Sequence, residues 1–132
     1  MNRRRPSFVR TAALWLAGVA LVIGMAACSS GSQSGYEAAP LDSDAILLDV
    51  RTPSEFAEGH LEGARLLDFS GGQFEAAIPG MDPDAEYYLY CRSGNRAGQA
   101  MKLMEKAGIV NVTNLGSVEK AAQVTGLPIV TD

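Results

Sequence analysis

Short apolar runs alternate with stretches of helical periodicity along the second two-thirds of the chain. Residues 45–50, AILLDV, form a continuous apolar run with the length of a buried strand. The segment TPSEFAE follows. Thr52 stands where a helix cap belongs, Pro53 suits the first turn, and Glu55 three residues on completes a capping box, with Gly59 as the stop. ARLLD predicts a second strand. SGGQFEAAI predicts a second capped helix, with Ser70 and Gln73 as the reciprocal pair and Pro79–Gly80 as its end. The aromatic run YYLY, residues 87–90, is the strongest strand signal. After it, Ala97, Ala100, Met101, Met104 and Ala107 recur at helical spacing up to Gly108. IVNVTNL predicts another strand, SVEKAAQVTG a last helix, and LPIV a short tail strand. Strands alternating with helices imply an α/β class fold: an open, largely parallel sheet with helices on both faces.

The front of the chain has a different pattern. MNRRRPSFVR carries Arg3, Arg4, Arg5 and Arg10 and no acid, and residues 11–27 carry no charge at all. A basic start, a short apolar stretch and small residues at its end describe an export signal over residues 1–27. The stretch closes on MAAC, which resembles the bacterial lipobox, with Met25 where Leu is usual. The resemblance implies that Cys28 is lipidated and becomes the mature N-terminus. Residues 28–40, rich in Ser, Gly and Ala, then read as the lipid anchor and a flexible tether. The domain itself is expected over 41–132. The expected location is the outer face of a bacterial membrane.

Charge narrows the partners. The whole chain carries a formal −4, and removal of the signal with its four arginines leaves the mature chain near −8. Such a surface argues against nucleic acid or anionic lipid headgroups. The sequence has one His and two Cys, which offers no ligand cluster for a metal.

The candidate chemistry lies in CRSGNRA. Cys91 follows the third strand and precedes a helix, where open α/β sheets place their ligands. Arg92, Ser93, Gly94, Asn95 and Arg96 form the connection. Successive backbone N–H groups of such a turn converge into an anion nest, and the helix start adds a positive end. Two guanidinium groups stand nearby, and Gly94 permits backbone angles forbidden to other residues. This setting favours a thiolate and a small oxyanion beside it. Asp49 and Arg51, at the end of the first strand, read as braces for the loops, and His60 as a hydrogen-bonded corner.

Two signatures carry a wider resemblance. LLDVRTPSEFAEGHLEGARLLD and YYLYCRSGNRAGQAMKLMEKAG resemble those of the single-domain rhodaneses. The resemblance implies a rhodanese-like fold and a persulfide-carrying cysteine at Cys91. It also implies a small anionic sulfur donor held by residues 92–96, a thiol or cyanide acceptor, and no cofactor. The family usually continues from its last strand with Gly-Gly and a Trp, whereas this chain reads GSVEKAA with a single Gly116. The packing of the last helix is the feature this departure bears on. A tyrosine-phosphatase-like loop places Arg five residues beyond the Cys with one more step, and here Arg96 arrives one residue early. The other class of reading is a tethered binding or redox-sensing module using the same cradle, with Cys91 as an oxidation switch.

Overall fold

The computed structural model describes residues 39–132. The export signal, Cys28 and the tether as far as residue 38 lie outside the described residues.

Four strands make the central sheet in the order β3-β1-β4-β5, all parallel. They are β1 (Ile46–Asp49), β3 (Arg65–Leu66), β4 (Tyr87–Cys91) and β5 (Val112–Ser117). Side chains alternate between two cores, as strand geometry requires. On one face Leu48, Leu89 and Cys91 pack with Phe74 of α2 (Gln73–Ala77) and with Ala97, Ala100 and Met104 of α3 (Asn95–Lys106). On the other, Leu47 and Tyr90 pack with Val118 and Ala121 of α4 (Val118–Thr125). Burial on both sides explains why β1 and β4 read as unbroken apolar runs rather than alternating ones.

The capping box of α1 (Pro53–Glu58) is present in both directions. Glu55 N–H donates to Thr52 Oγ1, and Thr52 N–H donates to Glu55 Oε2 at 3.0 Å. At the same end of the sheet, Ser117 caps α4 through Lys120 N–H and left-handed Gly126 closes it.

Several expectations are corrected. Helix α2 has no Ser70–Gln73 box: it starts from left-handed Gly72, with no side-chain cap. Asp68 organises this turn instead. Its carboxylate accepts from Gly71 N–H and its carbonyl from Phe74 N–H. Ala107 is exposed because α3 ends at Lys106, and Ala107 N–H turns back to the carbonyls of Leu103 and Met104. The tail strand β6 (Ile129–Val130) forms, and it pairs antiparallel with β2 (His60–Leu61), a strand with no sequence signal of its own. Docking of the chain is already visible at Ala39, whose N–H donates to Val124 carbonyl.

Candidate functional site

The carboxyl ends of β1, β4 and β5 bring Asp49, Cys91 and Ser117 to one edge of the sheet. Cys91 is the last residue of β4 and its side chain is fully covered. The connection to α3 then turns sharply at Gly94, which has φ 92°. This turn aims Gly94 N–H at Cys91 Sγ, 2.9 Å away. An N–H donor at that distance stabilises negative charge on the sulfur. Helix α3 starts at once from Gly94 without a side-chain cap, so the positive end of its peptide dipoles faces the same loop.

Sequence reasoning missed two supports of this turn. Asn114 Nδ2 donates to Gly94 carbonyl at 3.0 Å, and Asn114 Oδ1 accepts from Gly116 N–H at 2.9 Å. A Cβ at Gly94 would sit 3.1 Å from Gly116 Cα. That approach is made possible by a bulge in β5: Leu89 pairs with Asn114 and Tyr90 with Gly116, so Leu115 is skipped. The pairing of a Gly-containing loop with a Gly-containing strand end was the only available signal.

The loop's other residues separate in space. Arg92, Ser93 and Asn95 are exposed, and Arg96 is half-buried. Arg96 is held by Glu55 in a bidentate pair, Nη1 to Oε2 and Nη2 to Oε1, both 2.8 Å. This ties α1 to the start of α3 across 41 positions of sequence. Hydrogen bonds from Arg96, and then from Thr52, hold the Glu55 carboxyl down to about 2. Arg96 is raised in turn, first by its hydrogen bond to Glu55. Arg92 instead lines a polar recess of about 420 Å³ together with Arg51, Glu55, Glu58, Val118 and Glu119.

Asp49 and Arg51 form a buried brace beneath. Arg51 Nε donates to both carboxylate oxygens of Asp49 at 2.9 and 3.0 Å, and Nη2 to Oδ2 at 2.6 Å. The same Nη2 reaches Gly59 carbonyl at 2.7 Å, fixing the end of α1. The guanidinium lies 5.6 Å from the Tyr90 ring centroid, and Tyr90 Oη accepts from Leu61 N–H. Burial, the largest cause, pushes the Tyr90 hydroxyl upward. His60 stacks on Phe56 at 3.6 Å, and its Nδ1 donates to Phe56 carbonyl at 3.0 Å. Its Nε2 lies 3.6 Å from exposed Asp132.

A covered cysteine at the carboxyl end of a central parallel strand, with Gly94 N–H on its sulfur in a turn that opens a helix, defines the described residues as an α/β domain with a cysteine-centred loop. The chain belongs to the rhodanese family: residues 34–122 match the Rhodanese-like domain. It is 34% identical over 87 residues to a sulfurtransferase of Allochromatium vinosum, covering 66% of this chain and 79% of that protein. It is 38% identical over 71 residues to the Bacillus subtilis protein YqhL, where the match covers 54% of this chain but only 55%, about half, of the relative. Among solved structures, a rhodanese with anions from E. coli superposes with a TM-score of 0.55 at 26% identity. That match covers 67% of this chain and 99% of the other. Thiosulfate sulfurtransferase PspE of Escherichia coli is 27% identical over 75 residues, covering 57% of this chain and 72% of that protein.

Proposed function

We propose that the protein is a sulfurtransferase in which Cys91 carries the sulfur as a persulfide. The observation that carries this reading is the contact of Gly94 N–H with Cys91 Sγ at 2.9 Å, at the uncapped start of α3. The contact favours the thiolate, and the positive start of α3 favours the terminal sulfur that carries the charge in the persulfide. With thiosulfate as donor, the Cys91 thiolate attacks the outer sulfur, a new S–S bond forms, and sulfite leaves with the electron pair of the old one. A thiol acceptor, or cyanide experimentally, then takes the terminal sulfur and restores the thiolate. Splitting the transfer in two predicts ping-pong kinetics. Arg92, on the exposed side of the loop, attracts the anionic donor.

The reading extends to location. Cys28 follows an uncharged run and precedes a Ser/Gly-rich segment, which supports a lipid-anchored protein held outside the cell membrane by a short tether. Cys28→Ser then leaves an uncleaved or released protein. A native N-terminus well beyond residue 28 removes the anchor from the reading.

The chemistry is tested by intact mass after exposure to thiosulfate. The wild type gains one sulfur and Cys91→Ser gains none while keeping its melting temperature, since Ser retains an acceptor for Gly94 N–H. A Cys91→Ser protein that still transfers sulfur, or a wild type that gains none from any sulfane donor, returns the domain to the binding or redox-sensing class.

A further inference from the structure

Three guanidinium groups surround the loop, and two of them are already engaged. Arg51 is taken by Asp49 and Gly59 carbonyl. Arg96 gives a donor from each terminal nitrogen to Glu55. Arg92 shares its recess with Glu58 and Glu119. Around the loop, three cations therefore meet four carboxylates: Asp49, Glu55, Glu58 and Glu119.

Glu55 is anchored independently of Arg96. Its Oε2 also accepts from Thr52 N–H and Thr52 Oγ1, each at 3.0 Å, through the cap of α1. An anion that competes for Arg96 therefore meets a carboxylate that stays in place, held by the cap of α1. Its ionisation near 2 keeps it charged throughout the working pH range. A fixed carboxylate at this position repels a dianionic donor about twice as strongly as a monoanionic one at the same distance.

Resting on the sulfurtransferase reading above, we propose that Glu55 is a specificity-determining residue that competes with the donor for Arg96 and so selects sulfane donors with one negative charge over dianions. The matched class is thiosulfonate- or persulfide-like: a terminal sulfur on a leaving group without a second charge. With methanethiosulfonate as the probe, the Cys91 thiolate bonds to the terminal sulfur and the S–S bond to the sulfonyl group breaks. Methanesulfinate leaves with the bonding pair, and a Cys91 persulfide anion remains. Charge and atoms balance as they do with thiosulfate, so the two probes differ in net charge and not in chemistry.

The experiment compares kcat/KM for methanethiosulfonate and thiosulfate in the full-length chain and in Glu55→Gln. Gln keeps an acceptor for Thr52 and Arg96 but removes the charge. The wild type favours the monoanion, and the preference falls about tenfold in Glu55→Gln through a lower KM for thiosulfate, the scale of one lost charge-assisted contact. An unchanged preference overturns the proposal. So does an equal fall of kcat with both donors, which would make Glu55 only a support for the loop. A measurement without substitution stands beside it. Methanesulfonate protects wild-type Cys91 from iodoacetamide at about one-tenth the concentration that sulfate requires, for the same reason. Equal protection overturns the proposal even if Glu55→Gln does not fold. If neither donor loads sulfur onto Cys91, the sulfurtransferase reading fails and this proposal fails with it, whereas loading with an unmoved preference sinks the proposal alone.

Discussion

Gly94→Ala tests the loop at the point where backbone geometry and chemistry coincide. Gly94 has φ 92°, a conformation that costs an L-residue about 1–2 kcal/mol. The new Cβ would also lie 3.1 Å from Gly116 Cα and 3.7 Å from Gly116 carbonyl carbon. Both are backbone atoms, so relief requires the loop and β5 to separate by a few tenths of an ångström. Overpacking of this kind costs about 1–3 kcal/mol. The expected loss is thus about 2–5 kcal/mol, a large fraction of the stability of a small domain. Gly108→Ala is the control. Its φ is 87°, yet nothing lies within 4 Å of the added Cβ, so only the strain of about 1–2 kcal/mol applies. Urea unfolding followed by circular dichroism reads both variants. Separation of the strands also pulls Gly94 N–H off Cys91 Sγ, so persulfide formation in a single turnover slows in Gly94→Ala and not in Gly108→Ala. If Gly94→Ala is no less stable than Gly108→Ala and loads sulfur at the wild-type rate, the Gly94–Gly116 contact has no part in building the site.

Asp49→Ala leaves the Arg51 guanidinium buried without its carboxylate and is expected to cost about 3–5 kcal/mol in denaturant unfolding; a loss below about 1 kcal/mol would show that the brace is dispensable. Glu55 ionises near 2 in the folded protein against 4.5 ordinarily, with Arg96 as the main cause. A depressed carboxyl pKa contributes stability above about 4.5 that is lost as pH falls toward 2. Wild type therefore loses more stability than Glu55→Gln between pH 5 and 2.5, and parallel curves would contradict the pairing. The difference is about 1 kcal/mol, because the pair is partly exposed and screened.

Legibility followed the range of the interaction. Strands β1 and β4 were readable because burial on two faces writes a continuous apolar run. The cap at Thr52 lies within three residues of its partner, and that at Ser117, equally local, was not read. Helix α2 defeated the same reasoning. Ser70 and Gln73 have the right spacing, but Asp68 captures Gly71 N–H first and left-handed Gly72 starts the helix. The pairing of β2 with β6 joins residues about 70 positions apart in a fold-dependent register, which no local pattern encodes. At the site, the type of residue was readable and its allegiance was not. Arg92 and Arg96 read as an equivalent pair, yet Arg96 turns to Glu55 and Arg92 to the recess. Glu55 read only as a cap partner because its second role appears once α1 meets α3.

The missing Gly-Gly and Trp element has a physical resolution that can itself be tested. Helix α4 seats without a large aromatic residue by burying Val118, Ala121 and Thr125, with Ser117 and Gly126 fixing its ends. Of the two glycines that meet here, Gly94 alone would bring a Cβ close to backbone, at Gly116 Cα. The two glycines are not equivalent in this contact. A Cβ on Gly94 points at backbone, whereas a Cβ on Gly116 would meet Lys120 Cδ at 3.2 Å, part of a flexible, exposed side chain that can swing away. Gly116→Ala should therefore cost little beyond the strain of its φ of 90°, about 1–2 kcal/mol, and less than Gly94→Ala. Urea midpoints of the two single variants decide the order. A Gly116→Ala protein that is the more damaged of the pair would place the critical contact on the β5 side and refute the assignment of the clash to the Gly94 Cβ.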